Sequence, residues 1–221
     1  MMSVFRATYL IFSITALFMM ASLILIALAP VDKTLGVSQK IFYLHVSCAW
    51  AAALAFLVNF IGSLGYLIKG GLRWDRTASS SAEIGLVFGA ITLLTGSIWA
   101  RFAWGVWWTW DVRLTTTLIL WLAYLGYILV RSIAEGEKRR SLSAVIGIAA
   151  FANVPLVFLS IRWWRSIHPA VITRSGLSLS PKMKPAFFVS LFAVTMLYLC
   201  LMILRVKLEG MREIVNSMRE R

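Results

Sequence analysis

The chain has 221 residues, of which 60% are hydrophobic and 14% charged, and its mean hydropathy is +0.83. Soluble domains carry about 25% charged residues and do not sustain such hydropathy, so the composition reads as an integral membrane protein. The net charge of +13 is spread between apolar segments as a topology signal, which argues against nucleic acid as a partner and makes the lipid bilayer the surrounding medium.

Six runs reach the roughly 17–25 residues needed to cross the hydrocarbon core as helix. They lie near 8–29, 45–68, 82–100, 114–131, 143–161 and 185–205. The runs are apolar on every face, whereas a spanning β-barrel needs alternation. The expected fold is an all-α membrane protein, a six-helix bundle over 1–205, followed by a cytoplasmic amphipathic tail over 206–221. The first segment shows no small-residue cleavage site and is longer than a signal-peptide core, so it is expected to be retained.

Local signals agree with these spans. Pro30 follows the first, where a missing N–H does least harm. Ser80 and Glu83 have capping-box spacing at the start of the third. Asn153 and Pro155 predict a local kink in the fifth. In the tail, Met211, Ile214, Val215 and Met218 fall on one face, with Lys207, Arg212, Glu213 and Arg219 on the other. That pattern predicts a helix lying on the inner membrane surface.

Lys and Arg near the span ends set the orientation. Thirteen fall on the side that holds Arg6, the 69–76 segment, the 131–140 segment and the tail; nine fall on the other. Both termini are therefore expected in the cytoplasm. The last outer loop, with Arg162, Arg165, Arg174, Lys182 and Lys184, is basic against this trend, and an anionic ligand would account for it.

Five of the ten tryptophans fall between Trp99 and Trp110, in a loop that this orientation puts outside. Interfacial belts explain isolated Trp50, Trp74, Trp99 and Trp121. Four tryptophans in seven residues, with an internal Gly105 and a terminal Asp111, exceed what a belt requires. As a helix, residues 104–111 would put Trp104, Trp107, Trp108 and Asp111 on one face, with Trp110 pointing elsewhere. Gly105 would allow a ligand close to the backbone. Asp111 has a second reading: it caps the next helix or pairs with Arg101 or Arg113.

The chain has two histidines, and both fall at the outer ends of spans. His45 begins the second span, and His168 sits in the last outer loop. Two neutral imidazoles can ligate a haem iron axially, aromatic rings suit a porphyrin face, and arginines suit its propionates. Arg101 and Arg113 flank the Trp-rich loop and Arg162 and Arg165 precede His168, so all four fall near the candidate ligands on the expected outer face. Cys48 and Cys200 form no CxxC, and small buried residues are the expected reading for both.

The run Trp104-Gly-Val-Trp107-Trp108-Thr-Trp110-Asp111-Val-Arg113-Leu114-Thr115 resembles the signature of the WWD haem-handling proteins of cytochrome c maturation. The resemblance covers almost the whole chain, and six spans match the shorter members. It implies non-covalent haem b at the outer face of the inner membrane, with His45 and His168 as iron ligands. The loop Trp104 to Asp111, including Trp107, Trp108 and Trp110, would be its wall, with Arg101 and Arg113 at the rim. It also implies delivery to a periplasmic haem chaperone, with an ABC-type ATPase complex and a small membrane subunit. The chain would bind and deliver rather than catalyse. Two positions depart from the family pattern. Val46 is followed by Ser47 where His-Val-Pro is common, and His168 is followed directly by Pro169 where His-Gln-Pro is common.

Two other classes fit this pattern less well, because both histidines sit at span ends and the spans lack midplane charges. An electron-transfer or quinol-oxidising haem subunit would want histidines within spans, paired across helices. A secondary transporter would want charges and broken helices near the midplane.

Overall fold

A computed structural model describes residues 2–173 and 176–219. Its helices are α1 (Met2–Leu28), α2 (Ile41–Lys69), α3 (Leu72–Trp104), α4 (Val112–Ile133), α5 (Gly136–Phe151), α6 (Asn153–Trp163) and α7 (Lys184–Arg219). Six candidate spans emerge, because α5 and α6 share one (Gly136–Trp163). The chain is a multi-pass helical membrane protein. A two-residue hairpin, β1 (Ile172–Thr173) with β2 (Gly176–Leu177), decorates the last loop.

The α2–α3 hairpin forms the centre. It turns on Gly70 and Gly71, at φ +68° and +93°, backbone that L side chains rarely adopt. Small residues then let the two helices approach closely, as is usual where no aqueous hydrophobic force drives packing. A Cβ at Gly85 would lie 2.6 Å from Phe56 Cε1, and one at Gly62 would lie 3.0 Å from Ala78 Cβ. Phe56 stacks on Tyr124 of α4 at 3.8 Å, which extends this core to the fourth helix.

On the outside of the bundle, α1 packs on α7. Thr15 Oγ1 meets Cys200 Sγ at 3.1 Å and Ser22 Oγ meets Ser190 Oγ at 2.8 Å. Phe18 and Phe192 pack edge to face. Cys48 and Cys200 are free thiols, both buried, in line with a packing role.

Several boundaries differ from expectation. α3 begins at Leu72, ten residues before the expected start, so Ser80 and Glu83 are mid-helix and form no capping box. Glu83 instead accepts two bonds from Arg205 of α7, at 2.5 and 2.8 Å. A helix of 33 residues is about 50 Å long against a hydrocarbon core of about 30 Å. Its first turns extend past that core, which is why Arg73, Asp75 and Arg76 read as loop. There Asp75 is held by Arg131 of α4 in a two-pronged ion pair, at 2.6 and 2.8 Å.

The tail is likewise no separate surface helix. α7 continues unbroken past residue 205 to Arg219, and docks on the α3 extension through Arg76–Glu213 at 2.7 Å. Arg219's own side chain lies outside the described set, as do those of Arg6 and Arg174. The break in the fifth span is present. α5 stops at Phe151 and α6 starts at Asn153, since Pro155 cannot donate to the Phe151 carbonyl. Trp121 leaves the expected belt and turns inward, donating its indole N–H to the Leu86 carbonyl at 3.0 Å.

Candidate functional site

The N-terminal end of α2, the C-terminal end of α3, the N-terminal end of α4 and the loop after α6 meet at one end of the bundle. His45 stands in the second turn of α2, and its ring lies over Gly96 of α3. A Cβ there would sit 3.0 Å from His45 Cε1. His45 Nδ1 is 3.1 Å from Thr95 Oγ1. That hydroxyl already donates to the Ile91 carbonyl at 2.7 Å, so it accepts, and His45 Nδ1 carries the proton. His45 Nε2 is left with its lone pair.

His168 reaches the same tautomer by another route. Its Nδ1 lies 3.0 Å from the Pro169 carbonyl, which can only accept. Burial, and then the nearby Arg113 charge, push its pKa down to about 4, against smaller opposing effects of the Pro169 bond and Asp111. The ring is therefore neutral at ordinary pH. The two imidazole rings lie 6.4 Å apart, centroid to centroid, with planes tilted by 34°. An imidazole nitrogen binds a first-row metal at about 2 Å, so rings on opposite sides of one ion have centres about 6 Å apart. The spacing matches that of two imidazoles on opposite sides of one metal ion, and both rings are hydrogen-bonded at Nδ1.

The Trp-rich loop does not meet the condition of being helical. α3 ends at Trp104, because Gly105 takes the left-handed conformation (φ +76°, ψ 0°), and residues 105–111 are not helical. The single tryptophan face therefore does not form. Trp104 packs edge to face on Trp99 at 5.3 Å, and Trp108 on Trp110 at 6.0 Å. Trp107 and Trp110 are 59% and 78% exposed. Ser97 Oγ donates to the Trp107 carbonyl at 2.7 Å and ties the loop back to α3. Trp99 Nε1, Trp108 Nε1, Thr109 Oγ1 and Thr115 Oγ1 are buried without a hydrogen-bond partner. Such orphans at one end of a bundle suit a ligand with acceptor oxygens.

The two arginines separate. Arg101 is exposed and donates to the Gly105 carbonyl, so it closes the end of its own helix. Arg113 is half-buried, lies 6.0 Å from the centre of the Phe158 ring, and its charge acts on the His168 imidazole. Arg162 and Arg165 are exposed.

Asp111 is the N-cap of α4, with Oδ1 accepting from the Arg113 N–H at 2.9 Å. Oδ1 also accepts from Ser166 Oγ, and Oδ2 from the Ile167 N–H, each at 2.9 Å. Burial pushes this carboxyl upward, but those bonds outweigh it and hold its pKa below the usual aspartate range.

The match to known proteins follows the same outline. Residues 2–221 match the family model described as heme exporter protein C. The chain belongs to the heme exporter protein C family. A heme exporter protein C of Bradyrhizobium diazoefficiens is 36% identical over 195 residues, covering 87% of this chain and 74% of that protein. One from Escherichia coli K12 is 32% identical over 186 residues, covering 81% and 73%. One from Haemophilus influenzae is 29% identical, covering 85% and 78%.

Thr95, Gly96 and Ser166 contribute to this site and were not singled out from the sequence. A threonine and a glycine inside an apolar span carry no signal until the helix opposite is known. Ser166 stands two residues before His168, but its carboxylate partner lies 55 positions away.

Proposed function

We propose that this protein holds haem at the outer face of the inner membrane and passes it to a periplasmic haem chaperone during cytochrome c biogenesis. Family membership supports a role in haem handling for cytochrome c biogenesis. The observation that carries the finer reading is the histidine pair: two imidazoles, ring centroids 6.4 Å apart, each hydrogen-bonded at Nδ1 and with no hydrogen bond at Nε2 among the described residues. That arrangement suits axial ligation of the iron of a non-covalent b-type haem.

The remaining residues divide the other tasks. The exposed rings of Trp107 and Trp110 offer apolar surface to a porphyrin. Arg113 supplies a cation that acts on His168, and the unpartnered indole and hydroxyl groups of Trp108, Thr109 and Thr115 supply donors for carboxylates. Arg101 contributes at the edge of the loop rather than at the iron. His45 sits on a packed helix, whereas His168 sits in a loop. A loop ligand can leave without unfolding the bundle, and this favours delivery over the permanent grip of an electron-transfer subunit. The family name points to an export function, and we assign an ABC-type ATPase complex and a small membrane subunit as partners. The Lys and Arg distribution supports cytoplasmic termini and a periplasmic site.

The experiment is an optical spectrum of the purified protein and of its His45→Ala, His168→Ala double variant. Wild type is expected to carry low-spin b-type haem, and the double variant to lose that spectrum. An unchanged spectrum in the double variant sinks the ligand assignment.

A further inference from the structure

The Asp111 carboxylate joins two segments far apart in sequence, the start of α4 and the loop after α6. A carboxylate has about four lone-pair positions. Three are taken by protein donors: the Arg113 N–H, the Ser166 hydroxyl and the Ile167 N–H, all at 2.9 Å. The Ser166 oxygen in turn accepts the His168 N–H at 3.1 Å. The path from Asp111 to the His168 backbone is therefore two hydrogen bonds long, and each link is short. Bonds to a charged acceptor are about twice as strong as neutral ones, and this acceptor also lies at a helix N-terminus, where negative charge is favoured.

We propose that Asp111 is a positioning residue: it clamps the loop that carries His168, and so fixes that imidazole opposite His45. In this role the carboxylate of the Trp-rich signature acts on the protein and leaves the ligand to its neighbours. The inference rests on the haem-site reading above for its consequence, but the clamp itself is a property of the protein alone.

Two readouts separate these. Asp111→Asn keeps the size of the side chain and its ability to cap α4, since asparagine is a good N-cap. It places an amide N–H where one loop donor now finds an acceptor. Ser166→Ala removes one link and leaves the cap untouched, so it serves if the first variant folds poorly. Amide hydrogen exchange over residues 163–170, measured without haem, is expected to rise about tenfold in Asp111→Asn, and less in Ser166→Ala. In the haem-loaded protein, Asp111→Asn is expected to show the spectrum of His168→Ala, while Asp111→Asn combined with His168→Ala adds nothing further.

Unchanged exchange in both variants overturns the clamp. Faster exchange with a wild-type spectrum overturns the positioning role. If His168→Ala itself leaves the spectrum unaltered, the haem reading fails, and the clamp stands or falls on the exchange rates.

Discussion

His45 and His168 come from the second helix and from the loop before the last helix, yet their ring centroids lie 6.4 Å apart. Each ring is held at Nδ1, one by the Thr95 hydroxyl and one by the Pro169 carbonyl. The shared tautomer makes the pair more than a coincidence of two polar residues at span ends.

The bond to Thr95 can be tested directly. Thr95→Ser keeps the hydroxyl and is expected to bind haem as wild type does. Thr95→Val removes the acceptor at Nδ1 and is expected to weaken binding by roughly tenfold. Haem titration of the purified variants checks this, and equal affinities for Ser and Val would show that the hydroxyl does not orient the ring.

Gly96 gives the same ring its floor. A methyl group there would lie 3.0 Å from His45 Cε1, so the imidazole must shift in Gly96→Ala. Haem content is expected to fall several-fold while membrane insertion is unaffected. Haem per protein, at matched expression, is the measurement.

How much of this was legible in the sequence varies by element. The six spans were, because a helix must be apolar for about 20 residues to cross a membrane, and that signal is local. Asp111 was readable as a helix cap. The start of α3 was not, because Arg73, Asp75 and Arg76 read as loop until their partners Arg131 and Glu213 are known. The spacing in the Trp-rich loop aligns its rings only if the loop is helical, and Gly105 ends α3 in the left-handed conformation, so that alignment is not realised. The histidine pairing was expected from span parity, while its fixing residues were hidden because they are contacts between elements.

The Asp75–Arg131 pair bears on stability rather than on haem. Its side chains are only 6% and 10% exposed. Removing one partner of a buried pair leaves an uncompensated charge, and costs about 3–5 kcal/mol. Asp75→Asn or Arg131→Met alone is expected to lower resistance to denaturing detergent sharply. The combined Asp75→Asn, Arg131→Met variant is expected to recover part of the loss. A denaturation midpoint series on the three variants checks the coupling.

Orientation follows from the Lys and Arg distribution. Reporter fusions at residue 105 are expected to be active in the periplasm, and those at residue 138 in the cytoplasm. The reverse pattern would move the histidine pair to the inner face and remove the periplasmic acceptor from the proposal.

The central claim is that one haem iron sits between His45 and His168. Electron paramagnetic resonance of the ferric, haem-loaded protein tests it most directly. Wild type is expected to give a low-spin bis-imidazole signal, which both His45→Ala and His168→Ala convert to a signal with one histidine ligand or none. A wild-type signal that persists in either single variant would contradict it.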